Sequence, residues 1–286
     1  MTDKEPSNGD TVDPAKTEAE VSNVDTVDGP LLYTTKVDPY RYRMDFPRAG
    51  ICVIINNINF HPFLRMNNLN GCDYDAAHVG NTFEKLGYKV YMFRDITTGQ
   101  MKQALKSASL EDHSNSASFI CVILSHGEKD VVYGTDGSVT LDALTKYFKG
   151  WACQSLLGKP KLFFINACRG DKSDKGADMV DSADSPITYR IPLEADFLYA
   201  YSTSPGYLAW MRPTGSFFIK AVCEVIEKHG NLELMQIMTR VNGIVAQCDM
   251  PTKEGRYIEM YKQMPSVTSM LTKEFYFPTW FKRLTL

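Results

Sequence analysis

Three continuous apolar runs constrain this chain more than any other feature: residues 51–55, 118–124 and 161–167. A strand with one wet face alternates apolar and polar residues, whereas an unbroken run suits a strand covered on both faces. Between the first two runs the period changes. Ala76, Ala77, Val79, Phe83 and Leu86 recur at helical spacing and stop at Gly87, a residue suited to a helix C-cap. Residues 88–93 read as a strand, and Thr97 or Thr98 caps a helix running to Leu110. Further on, 197–202 reads as a strand, 216–229 and 232–245 as helices parted by Gly230-Asn231, and 267–277 as a last strand. Strands and helices alternating through short links predict an α/β fold around a mostly parallel sheet.

Two segments break the pattern. Residues 1–30 carry eight acids against two lysines, no aromatic residue and four valines as their branched apolar residues. Such a stretch buries too little surface to offset its ordering entropy, and disorder is expected. Asp-Thr-Val-Asp occurs in it twice, at 10–13 and 25–28. The second segment, 169–190, carries five aspartates. A loop this long inside a compact domain is functional or disordered.

Composition narrows the class. The chain has 286 residues, 44% hydrophobic and 23% charged, the balance of an ordinary globular protein. No apolar run reaches the ~18 residues of a membrane span, and the polar, acidic N-terminus is not a secretory signal. A net charge of −3 and a pI near 6.0 argue against a nucleic-acid partner. That charge is uneven: residues 1–30 contribute −6 and 171–184 contribute −3, leaving +6 on the remainder. Seven scattered cysteines, with no Cys-x-x-Cys pair, predict a reduced cytoplasmic protein without disulfides. His61, His78, His113 and His229 have no ligand spacing, so no metal and no cofactor is expected.

Two of the apolar runs end in residues that carry chemistry. The run at 118–124 leads into Ser125-His126-Gly127, and the run at 161–167 leads into Cys168-Arg169-Gly170. Reactive groups gather at the carboxyl ends of strands in an open parallel sheet. His126 and Cys168 placed there form a thiol–imidazole pair, in which the imidazole moves a proton and the thiolate attacks a carbonyl. The N–H groups of Gly127 and Cys168 are the candidate donors to the resulting oxyanion.

Ser125-His126-Gly127-Glu128 and Ile165-Asn166-Ala167-Cys168-Arg169-Gly170 resemble the two active-site signatures of caspases. The similarity runs through nearly the whole chain from Tyr40. It includes Tyr42-Arg43-Met44-Asp45, the stretch 194–203 and Ser269-Met270-Leu271-Thr272-Lys273-Glu274, and it is greatest with the effector branch. The N-terminus is too short for a death-fold adaptor domain, as in an effector. The resemblance implies a three-layer α/β sandwich: a mostly parallel six-stranded sheet with helices on both faces. It implies Cys168 as nucleophile and His126 as its acid/base partner. It further implies a zymogen, with a prodomain over 1–30, a large subunit over 31–184 and a small subunit over 185–286. Asp28 and Asp184, each closing an Asp-x-x-Asp sequence, are the implied cuts by an upstream caspase. The segment 266–277 resembles the strand that pairs across the caspase dimer, which implies a homodimer or a heterodimer with an effector caspase.

The substrate pocket departs from the family. Caspases hold the P1 aspartate with two arginines and a glutamine. Here Leu69 and Met211 stand at the arginine positions, and Asn166, one methylene shorter, replaces the glutamine. Met211 follows Trp210 of the substrate-pairing strand, while Leu208 and Ile258 stand where effector caspases carry aromatic residues of the second pocket. Arg65 and Arg212 are the nearby cations that would have to substitute. On an extended segment Arg212, offset by one residue, faces the opposite side. The expectation is a caspase homologue that binds aspartate substrates poorly and regulates an active partner by dimerising. An Asp-specific protease with a rebuilt pocket, a protease with a neutral P1 preference and a non-enzymatic scaffold remain as alternatives.

Overall fold

The apolar runs form the centre of one sheet. A computed structural model describes residues 38–171, 194–254 and 257–278. β1 (Arg48–Asn56), β3 (Ser116–Leu124), β7 (Lys161–Asn166) and β8 (Phe197–Tyr201) are joined by β2 (Tyr88–Arg94) at one edge and β13 (Ser266–Ser269) at the other. The order is β13-β8-β7-β3-β1-β2, with all pairs parallel except the antiparallel β8–β13. Every residue of β3, β7 and β8 is buried, which is why their sequences do not alternate.

Helices cover both faces, making three layers. α1 (Cys72–Lys85), α4 (Phe217–His229) and α5 (Leu234–Gln247) pack on Cys52, Ile54, Ile120, Val122, Leu124, Leu162 and Phe164. α2 (Thr98–Ser109), α3 (Leu141–Thr145) and the 3-10 segment Gly150–Leu156 pack on Val53, Ile55, Phe119, Cys121, Phe163 and Ile165. The two sets alternate along each strand, as the pleat requires. Thr97 closes the start of α2 with a capping box to Gln100.

Some boundaries differ from the sequence reading. α5 begins at Leu234 with Glu233 as its cap, not at Leu232. The Glu233 carboxylate accepts from Met235 N at 2.7 Å and also from Phe275 N at 3.3 Å, so the tail decides where this helix starts. The strand expected over 267–277 is confined to β13. Beyond Met270 the chain turns so that Thr272 Oγ1 donates to buried Asp196 Oδ1 at 2.7 Å, which also accepts from Tyr42 OH at 2.6 Å. Three distant segments are tied by that one carboxylate.

Apart from the extended segment at Met211, the short strands outside the main sheet were not foreseen. β4 (Gly127–Glu128), β5 (Val131–Gly134) and β6 (Gly137–Thr140) form a small antiparallel sheet. β9 (Met211–Arg212) pairs with β10 (Gly215–Ser216), and β11 (Met250–Glu254) with β12 (Tyr257–Tyr261). Among the described residues, no helix is long and apolar enough to cross a membrane.

Candidate active site

His126 and Cys168 both follow the carboxyl ends of neighbouring parallel strands. Leu124 and Asn166, the last residues of β3 and β7, are register partners. Gly127 lets the two chain segments meet: a Cβ there would lie 2.7 Å from Cys168 O and 2.8 Å from Ala167 Cβ. Because Tyr133 N donates to His126 O at 2.9 Å, Gly127 and Val132 form a non-hydrogen-bonded pair of the β4–β5 ladder. The Gly127 N–H is therefore not consumed by that ladder.

The imidazole is held by a backbone group that the motif did not announce. His126 Nε2 lies 2.8 Å from Asn67 O. A carbonyl can only accept, so Nε2 carries a proton, and in the neutral ring Nδ1 is the acceptor. Phe60 packs on the same ring with centroids 4.8 Å apart. Any residue type can supply a main-chain carbonyl, so composition gave no pointer to Asn67.

The thiol is engaged elsewhere. Cys168 Sγ accepts from Ala209 N–H at 3.3 Å and lies 3.7 Å from Ala209 O. Arg169 N donates to Tyr207 O and Gly206 N to Arg169 O, both at 2.9 Å, so residues 206–209 lie across the thiol. Among the described residues, no hydrogen bond joins Cys168 to His126. Burial pushes the Cys168 thiol up from its ordinary range, opposed by the Ala209 N–H. Cys168 thus rests as a thiol in this arrangement.

The pocket positions are apolar or unpaired. Leu69 and Met211 are half-buried and pack on the α1/α4/α5 face of the core. Their segments touch, since a Cβ on Gly71 would lie 2.0 Å from Arg212 O. Asn166 is buried on the same face as Leu162 and Phe164, and among the described residues its side chain makes no hydrogen bond. Arg212 turns away: its Nη2 donates to Asp249 O at 3.1 Å, and its guanidinium sits 4.4 Å above the Phe217 ring. Arg65 is exposed, with a left-handed backbone at φ 54° and no side-chain partner among the described residues.

Around the pocket, Trp210 stacks on Tyr261 with centroids 5.3 Å apart, and its backbone N–H donates to Gln263 Oε1 at 2.8 Å. Leu208 is half-buried beside it in the chain, and Ile258 lies in β12 opposite Lys253. Asp75 of α1 accepts from Ser216 N at 3.0 Å, clamping β10 to the helix. Burial pushes the Asp75 carboxyl up to about 6, although the Ser216 bonds oppose the shift. The expected cuts at Asp28 and Asp184 lie outside the described residues. Among the described residues, no group of His, Cys, Asp and Glu is arranged to hold a metal.

A thiol and an imidazole follow the carboxyl ends of adjacent parallel strands of an α/β sandwich, with glycine-enabled backbone contact between them, the placement that the caspase resemblance implies. The comparisons agree: residues 49–276 match the family model described as Caspase domain. The chain is 45% identical over 255 residues to Caspase-7 of Gallus gallus, an alignment covering 86% of this chain and 82% of the relative. It is 48% identical over 239 residues to Caspase-3 of Bos taurus, covering 82% of this chain and 87% of the relative. This chain belongs to the caspase family and is related to its effector members.

Proposed function

We infer that this chain is an effector-caspase homologue of apoptosis that keeps the Cys168–His126 dyad but binds P1 aspartate weakly. It acts chiefly by pairing with an active caspase in the cytoplasm. One observation carries the reading: the cation nearest the lost arginine positions, Arg212, is committed to Asp249 O and Phe217. Hydrogen bonds to a charged group are worth about 1.5–3 kcal/mol each. Losing both arginines therefore costs about 3–6 kcal/mol, or roughly 10²–10⁴ in kcat/KM. An aspartate carboxylate would instead be desolvated against Leu69 and Met211.

Pairing is supported by the sheet edge. β13 is short and antiparallel on β8, and its outer side has no strand partner among the described residues. An open edge is a template for another chain unless covered. In this reading an upstream caspase cuts at Asp28 and Asp184, separating a large subunit over 31–184 from a small one over 185–286.

The test compares the protein with Cys168→Ala on Asp-x-x-Asp peptides, each alone and mixed with an active effector caspase. Little cleavage alone, with a changed rate for the partner, is the expected result. Strong Cys168-dependent cleavage of those peptides by the protein alone would sink the reading.

A further inference from the structure

The sheet has two outer edges, and the reading above uses the one at β13. The other is β2, a strand of seven residues that pairs with β1 alone among the described strands. Asp95 N donates to Asn56 O at 3.0 Å, and counting back along the parallel register assigns the backbone groups of Phe93, Tyr91 and Lys89 to β1. The N–H and C=O groups of Tyr88, Val90, Met92 and Arg94 therefore point away from the sheet, where no described strand takes them up.

The side chains in the middle of this edge are apolar and incompletely covered. Met92 is 49% exposed, and Val90, Tyr91 and Phe93 are half-buried. Open edges are defended by charge, lysine above all. β2 carries Lys89 and Arg94, but the chain itself answers both. Arg94 Nη2 pairs with Asp73 Oδ2 at 2.9 Å, while Lys89 Nζ lies 4.0 Å from Glu111 Oε2 and 4.6 Å from the centre of the Tyr91 ring. Little net charge is left to repel another strand.

The order of the residues says which strand fits. Antiparallel strands bond where outward residues face outward residues. If β2 meets a second β2 about a two-fold axis at Tyr91, Val90 stands opposite Met92 and Tyr88 opposite Arg94, so every outward residue is matched. Lys89 stands opposite Phe93, no cation meets a cation, and Tyr91 meets its own copy. Centring the pair on Val90 or Met92 instead leaves Arg94 or Tyr88 with no strand residue opposite.

We propose that β2 pairs antiparallel with the β2 of a second copy of this chain about a two-fold axis at Tyr91, making the two sheets continuous. The contact lies at the opposite edge from β13 and stands whether or not β13 pairs. Where both edges pair, copies add in a row, because two-folds at opposite edges of one sheet do not close on a pair.

The axis supplies the test. Tyr91 and its copy form a non-hydrogen-bonded pair with Cα atoms about 4.5 Å apart, within reach of a disulfide. The full chain, its Tyr91→Cys variant and its Lys89→Cys variant are oxidised in a glutathione redox buffer and run on non-reducing gels. Tyr91→Cys should give a covalent dimer that reduction removes, with mass spectrometry placing the bond at position 91 of both copies. Lys89→Cys, which faces Phe93 rather than its own copy, should give no bond at position 89. Met92→Pro removes one outward N–H and no β1–β2 bond. Sedimentation velocity should show it losing the largest species formed by the unchanged chain, with its circular dichroism kept. Bonds at position 91 no more frequent than at position 89 overturn the inference, as does an unchanged chain that is wholly monomeric or an assembly that a folded Met92→Pro leaves intact. If Met92→Pro does not fold, the cross-link decides alone. None of these variants touches β13, so the pairing proposed there survives a failure here.

Discussion

Ala209 donates its backbone N–H to the Sγ of Cys168 at 3.3 Å, placing the 206–209 segment directly on the thiol. Cys168 and His126 thus hold separate partners and share no hydrogen bond among the described residues. The His126 ring is fixed by Asn67, and the thiol faces Ala209.

Alkylation of Cys168 by iodoacetamide reports this arrangement. The folded thiol is raised above its usual value of 9.0 because burial disfavours the thiolate. Mass spectrometry of the Cys168 peptide should show a rate that still climbs above pH 9. A rate that levels off below neutral pH would reveal a preformed thiolate–imidazolium pair and refute the resting thiol.

Restoring cations should restore aspartate reading. Leu69→Arg with Met211→Arg is expected to raise kcat/KM for Asp-x-x-Asp peptides by about 10²–10⁴, with each single change giving less. The assay is steady-state peptide hydrolysis. No gain in a folded double variant would place the defect in the dyad instead.

Asp75 makes stability depend on pH. Its folded carboxyl sits at about 6, above the ordinary 3.8, so the folded state binds the proton more tightly. Between about pH 4 and 6 the folded protein holds more protons than the unfolded chain, and stability falls as pH rises through that window. Above it the full penalty, about 3 kcal/mol, persists. Asp75→Asn keeps an acceptor for Ser216 N and removes the titration. Thermal unfolding from pH 4 to 7 should show a shallower decline for the variant; parallel curves would contradict the assignment.

The open edge has a specific polarity. Met270 N donates to Phe197 O at 2.8 Å, and counting back along the β8–β13 register turns the N–H groups of Val267 and Ser269 outward. Ser269→Pro removes one outward N–H without removing a β8–β13 bond. Sedimentation velocity should show the dimer population shifted toward monomer, with the melting profile of the monomer little changed. An unchanged dimer would mean that pairing does not use this edge.

Much of the fold was legible because its signals are local. Unbroken apolar runs marked β1, β3 and β7, and helical spacing with Gly87 beyond the end marked α1. The two-residue strands β4, β9 and β10 left no such trace, since no period can be read from two residues. The shortened β13 and the late start of α5 were also illegible, because Asp196 and Glu233 recruit partners from the distant tail.

Residue types and strand ends singled out His126 and Cys168, which the structure places after the carboxyl ends of β3 and β7. Sequence alone settled the inventory: which groups exist, and that Leu69, Asn166 and Met211 put no cation at their three positions. Tertiary structure alone decided their engagement. Asn67 reaches His126 through a main-chain oxygen, Ala209 covers Cys168, Arg212 turns to Asp249, and Asn166 Oδ1 has no hydrogen-bond partner among the described residues. Hydrogen bonds depend on distance and direction between segments far apart in the chain, and folding is what brings those segments within reach.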